Sequence, residues 1–180
     1  MISTRSQHDL LDQRGTGDLL DPRTTTRAWR IAAAVPDPEL PVLTIGELGI
    51  LRDVTEDDQS RVHVTITPTY SGCPAMETIR TEVIDALTME GFLHVDVEFE
   101  LSPPWTTDDL TAAAHAKLSA YGIAPPQQRS GPQMIELTVR CPQCGSGRTR
   151  ELSRFGSTAC QSLWVCRECK EPFPHLKSLT

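Results

Sequence analysis

The sequence predicts an α+β chain, a small sheet covered by helices on one face, followed by a second and smaller module built on cysteine. Three observations carry this. Helical and strand-like apolar periodicities alternate in the order helix, strand, strand, helix, strand, helix. A stretch rich in Pro and Gly without apolar periodicity, residues 124–133, then interrupts them. Beyond it stand two Cys-x-x-Cys pairs, in a segment too short to fold on a hydrophobic core alone.

Residues 1–23 contain few aromatic or β-branched side chains and are broken by Gly15, Gly17 and Pro22, so they read as a flexible arm. A first domain is expected over 24–123. Thr24 to Thr26 offer a cap for a short helix bearing Trp29, Ala32 and Ala33, which Pro36 stops. In Pro36-Asp37-Pro38-Glu39-Leu40-Pro41 three prolines fix φ and stiffen a loop that presents two carboxylates. Residues 50–54 and 61–67 read as a hairpin, with Val62, Val64 and Ile66 alternating against polar neighbours. The next helix, residues 74–90, carries Met76, Ile79, Val83, Ala86 and Leu87 on one stripe, with Gly91 after its end. A strand follows from Leu93 to Leu101, and then a helix capped by Thr106 or Thr107 with Leu110, Ala114, Leu118 and Tyr121 on one side.

After the linker at 124–133, residues 134–180 contain Cys141-Pro-Gln-Cys144 and Cys166-Arg-Glu-Cys169. Two tight turns presenting paired thiolates suit a tetrahedral Zn²⁺, and strands at 135–140 and 162–165 leading into them give the build of a zinc ribbon with a structural metal. An Fe-S cluster on the same thiolates and a redox pair are the alternatives, the latter without a thioredoxin-like context. Trp164, Phe173 and Leu176 are expected in the ribbon's own core. Cys160 is expected beside that core as a non-ligand, although substitution for a ligand or a second metal is open to it.

The net charge of -7 divides unevenly: residues 1–133 carry twenty acidic and ten basic side chains, residues 134–180 four and seven. A surplus of +3 beside an acidic domain gives little support for nucleic-acid binding. No membrane span and no apolar signal segment is found, which places the chain in the cytoplasm.

Thr67-Pro68-Thr69-Tyr70-Ser71-Gly72-Cys73-Pro74 lies where a strand gives way to a helix. A cysteine at a helix N-terminus faces unpaired N–H groups and partial positive charge, both favouring thiolate, and Pro74 suits the first helical position. The alternative is a small buried hydrophobe. No histidine is well placed as a base, since His63 and His94 take outward strand positions. A metal role fits better. Cys73, the hydroxyls of Thr67 and Thr69, and the carboxylates of Asp37 and Glu39 give soft and hard donors for transient iron or an iron-sulfur cluster, within one chain or shared by a homodimer. Loop solvation or helix capping is the competing role for the two carboxylates.

With Asp37-Pro38-Glu39-Leu40-Pro41-Val42-Leu43 and Ile45-Gly46-Glu47-Leu48-Gly49-Ile50 ahead of the Cys73 segment, the chain resembles the SufT-type iron-sulfur assembly factors. The tail, with Phe155-Gly156-Ser157-Thr158-Ala159-Cys160 before Cys166, narrows the resemblance to the D-subunit family (PaaD) of the bacterial phenylacetyl-CoA epoxidase system. The resemblance implies a non-catalytic accessory subunit that matures or maintains a metal centre in its partners, the iron-sulfur reductase first among them. It carries the family's reactive cysteine to Cys73 and its acidic loop to Asp37 and Glu39. Such tails close in Phe-Lys-Cys, where this chain has Leu176-Lys177-Ser178, so no terminal cysteine ligand transfers. The second expectation is a zinc-ribbon adaptor that docks oxygenase components without handling iron.

Overall fold

The structure, a computed structural model, describes residues 26–70, 72–126 and 139–178. The expected arm at 1–23 and most of the strand expected at 135–140 lie outside them.

Helix α1, Arg27–Ala33, starts where the Thr26 hydroxyl accepts the Trp29 N–H at 3.1 Å and buries Ala28 and Ala32. After the proline loop, a single turn α2, Ile45–Leu48, is held by a capping box between Thr44 and Glu47. Four residues give too short a period to be read from the sequence, but two glycines show why the turn is there. A Cβ at Gly46 would come within 2.8 Å of the Ala33 Cβ, and Gly49 (φ 76°) would drive one into the Asp109 carbonyl. The turn is thus wedged between α1 and the later chain.

Strands β1, Leu51–Glu56, and β2, Arg61–Ile66, pair antiparallel, and β3, His94–Phe99, lies parallel to β2 in the order β1-β2-β3. Helix α3, Met76–Met89, makes the crossover between β2 and β3. Val62, Val64 and Ile66 of β2, with Leu51, Val54 and Val97, face the helices, where α3 inserts Met76, Ile79, Val83 and Leu87. His63, Asp96 and Glu98 are exposed. The predicted α+β layering, helices on one face of a small sheet, is therefore the architecture.

Several boundaries differ. Helix α3 begins at Met76, so Pro74 belongs to the preceding turn. Leu93 and Leu101 continue the alternation of β3 but are exposed beyond it, because the ladder to β2 spans only residues 94–99. Thr106 and Thr107 belong to a 3₁₀ turn, Thr107–Asp109, in which the Asp109 carboxylate accepts the Thr106 N–H at 2.7 Å. Thr111 caps the helix itself, α4, Ala112–Ala120, leaving Tyr121 exposed.

The second module is a three-stranded antiparallel sheet of β4, Thr149–Ser153, central β5, Gln161–Cys166, and β6, Pro172–Leu176. The sequence pattern reveals only β5. Strand β4 is almost wholly polar, and β6 holds two prolines, which an edge strand tolerates. The two modules are stitched together. Ala124 donates its N–H to the Pro174 carbonyl (2.8 Å) and accepts that of Leu176 (3.0 Å), so residue 124 extends the sheet rather than opening a free linker. Leu176 and Cys160 pack in the core of the first domain, correcting the expectation that they serve the ribbon. Phe173, with Cys141, Cys166 and the partly buried Trp164, forms the ribbon's own core. Among the described residues no helix is long and apolar enough to cross a membrane.

Candidate metal centres

The four Sγ atoms of Cys141, Cys144, Cys166 and Cys169 lie within 4.8 Å of one another, with Cys141–Cys169 at 3.7 Å and Cys144–Cys166 at 3.5 Å. A tetrahedron with Zn–S bonds of about 2.3 Å requires sulfurs about 3.8 Å apart, so the donor set fits Zn²⁺. Each knuckle passes through a left-handed residue after its second cysteine, Gly145 (φ 73°) and Lys170 (φ 66°). With all four positions taken by thiolates, a bound zinc would supply folding energy.

The second constellation lies where the two modules meet. A cavity of about 10 Å³ is lined by Asp37, Glu39, Thr69 and Cys73 among polar groups, by Trp105 and Met76 among apolar ones, and by Cys160 and Leu176 from the ribbon. The proline loop presents its carboxylates in a fixed geometry. Asp37, 5% exposed, accepts the N–H groups of Glu39 (2.9 Å) and Leu40 (2.7 Å) through one oxygen, and its own N–H is tied to the Leu43 carbonyl. Trp105, closing the floor, donates its indole N–H to the Leu48 carbonyl at 2.8 Å. Cys73 follows Gly72 (φ 87°) in the turn before α3, its N–H bonded to the Tyr70 carbonyl.

The electrostatics differ from the sequence expectation. Burial pushes the Cys73 thiol above its ordinary value; the Ala75 N–H and the Thr69 hydroxyl oppose this, while Glu39 and Asp37 add to it. The helix-terminus effect is outweighed first by burial and then by the two nearby carboxylates, and α3 starts three residues later. Burial likewise raises Asp37 and Glu39, and it lifts Cys160 to about 11. Every one of these groups is pushed toward its protonated form.

Of the five residues expected around iron, Cys73, Asp37, Glu39 and Thr69 share the cavity. Thr67 does not line it. It is buried at the end of β2, with its N–H on the Ile50 carbonyl and its hydroxyl without a partner among the described residues. Sequence reading did not bring Trp105 to this cavity, and placed Cys160 beside the ribbon core, with ligand substitution or a second metal open to it. The signal for Cys160 was arithmetic: it is the cysteine left over once the two pairs and Cys73 are assigned.

Residues 32–99 match the family described as "Iron-sulfur cluster assembly protein", and residues 125–177 match the "PaaD zinc beta ribbon domain". Fold and cysteine sites thus define an iron-sulfur assembly domain joined to a zinc ribbon. Over 151 residues the chain is 45% identical to the D component of the "Putative 1,2-phenylacetyl-CoA epoxidase" of Escherichia coli K12, covering 84% of this chain and 91% of that one. The chain belongs to this phenylacetyl-CoA epoxidase D-subunit family, as the sequence motifs had implied. It is also 38% identical over 85 residues to the "Fe-S protein maturation auxiliary factor YitW" of Bacillus subtilis, spanning 47% of this chain and 82% of the relative. A crystal structure titled as a domain of unknown function, DUF59, from Bacillus anthracis is similar at 30% identity, 51% and 87% coverage and a TM-score of 0.48.

Proposed function

We propose that the chain is a non-catalytic accessory subunit of a cytoplasmic phenylacetyl-CoA epoxidase system, receiving iron or an iron-sulfur cluster at Cys73 and passing it to a partner. The iron-sulfur reductase is the client we favour. The supporting observation is the cavity that gathers Cys73, Asp37, Glu39 and Thr69 from two separate segments. A soft thiol and hard carboxylates together suit iron better than either alone, and a site with so few thiols holds it loosely enough to release. The metal is cargo here. The chain's own groups position it: the Asp37 turn fixes the acidic side, and the Ala75 N–H and Thr69 hydroxyl steady the sulfur.

Metal analysis of the anaerobically purified protein tests this. Zinc together with substoichiometric iron, the iron lost on Cys73→Ser, is the expected result; zinc alone in the unmodified protein would refute it. An adaptor without iron handling is the second reading, and the exposed Phe155 and Leu152 of the ribbon favour it as a docking surface. In that case Cys73 would be dispensable.

A further inference from the structure

We propose that Cys160 is a metal ligand delivered by the ribbon, completing with Cys73, Asp37 and Glu39 a two-thiol, two-carboxylate site for a single Fe²⁺ ion. This rests on the reading that the cavity accepts iron, and adds which ion it takes and why the second module is needed.

The ribbon's own metal is already satisfied by four cysteines, so Cys160 is surplus to it. Nor is Cys160 a surface thiol: it is 6% exposed and turned into the first domain, with its Sγ 3.8 Å from a Glu39 carboxylate oxygen. The Thr158 hydroxyl stands 3.0 Å from the same sulfur, and the backbone behind it is tied by the Lys177 N–H to the Cys160 carbonyl. The thiol is therefore held in position from the ribbon side.

The company it keeps argues for a cation. Among the described residues, the cavity wall contains two carboxylates and two thiols but no Lys, Arg or His. Burial without a compensating positive charge disfavours the charged forms of these acidic groups, and a bound divalent ion would restore them. A thiolate and carboxylate mixture matches Fe²⁺, which lies between the soft and hard extremes. Size narrows the cargo further. About 10 Å³ is close to the minimum needed for one water molecule, so the cavity as it stands has room for a single ion.

The donors are close but not closed. Among the described residues, the ribbon cysteines are the one group already clustered tightly enough to hold a metal ion, so binding at the junction must draw its donors closer together. Both thiols lose their protons to solvent as the metal–sulfur bonds form, and no electrons are transferred. A site split between two modules opens when they part, which gives a release step.

Anaerobic titration of the zinc-loaded full chain with Co²⁺, as a spectroscopic stand-in for Fe²⁺, tests the proposal, with Fe²⁺ affinity measured by chelator competition. One Co²⁺ per chain beyond the retained zinc is expected, with thiolate-to-metal absorption reduced by roughly half in Cys160→Ser and in Cys73→Ser and abolished in the double variant. Affinity for Fe²⁺ should fall at least about tenfold in each, since loss of supporting shells alone costs that much. Protection of the Ala124 amide reports whether the modules remain docked. If Cys160→Ser undocks them, Cys160→Ala, which keeps the apolar packing, is used and should show the same halving. Undiminished absorption in a docked Cys160 variant overturns the inference while leaving iron reception at Cys73 standing. Absence of a second metal in the unmodified chain overturns it too, and client loading then decides the wider reading separately.

Discussion

Replacing Leu176 with Ala should part the two modules without unfolding either. Leu176 belongs by sequence to the ribbon, yet its side chain is 2% exposed inside the core of the first domain and forms part of the cavity wall. The change removes three carbons, a transfer loss of about 2.4 kcal/mol at about 0.8 kcal/mol per group. The hole merges with the existing cavity, whose wall cannot collapse freely onto it, so the total should be about 3 kcal/mol, within the usual range for buried Leu→Ala changes. Because the lost contacts lie across the junction, this energy comes from docking. At about 1.4 kcal/mol per tenfold, the amides of residues 124 and 176, bonded across the junction to the carbonyls of Pro174 and Ala124, should exchange roughly 100-fold faster. Amides in β5 should keep their protection and the ribbon its zinc. Unchanged exchange at residues 124 and 176 would refute the reasoning. Loss of zinc in the same variant would also refute it, by showing that Leu176 supports the ribbon itself.

Other perturbations follow from the same structure. Cys166→Ser should unfold residues 139–178 while β1 to β3 and α3 persist, since Cys166 would be a donor to zinc and is part of the ribbon core; stoichiometric zinc and a protease-resistant tail would contradict this. With zinc bound, iodoacetamide at limiting concentration should label Cys73 before Cys160, because Cys73 is half-buried whereas Cys160 is buried with its thiol pushed up to about 11. Peptide mapping decides it, and preferential labelling of Cys160 would mean that the junction is open. His175 is held down at about 4 by burial, against an ordinary value of 6.5 when unfolded. Its contribution is intact above pH 6.5 and is lost as pH falls toward 4, because the unfolded chain takes up the proton first. Between pH 7 and 5 the loss should be about 2 kcal/mol, absent in His175→Asn, which preserves a partner for the Ser162 hydroxyl. Equal acid sensitivity of both proteins in urea unfolding, at fixed free zinc, would assign the effect elsewhere.

The layering of the first domain was readable because Val62, Val64 and Ile66, and Met76, Ile79, Val83 and Leu87, keep clean periods over a buried face. The clustering of Cys141, Cys144, Cys166 and Cys169 was readable because their spacing is local. What escaped is what depends on distant contacts. Strand β4 is stabilised by pairing rather than by an apolar face, and α2 by a capping box and two close glycine approaches. Cys160 and Leu176 obey the ribbon's sequence pattern but the other domain's packing, and no local signal separates the two. The thiolate expectation for Cys73 weighed the helix terminus but not the burial and the carboxylates that the fold brings against it.

The central claim is that this chain loads a metal centre in a partner through Cys73. Purifying the iron-sulfur reductase from cells growing on phenylacetate, with either the unmodified chain or Cys73→Ser, and measuring iron and labile sulfide per reductase chain tests it most directly. The account predicts a reductase depleted in both beside a Cys73→Ser protein that is folded and zinc-loaded. A fully loaded reductase from the variant strain, in cells where no other assembly factor substitutes, would contradict it.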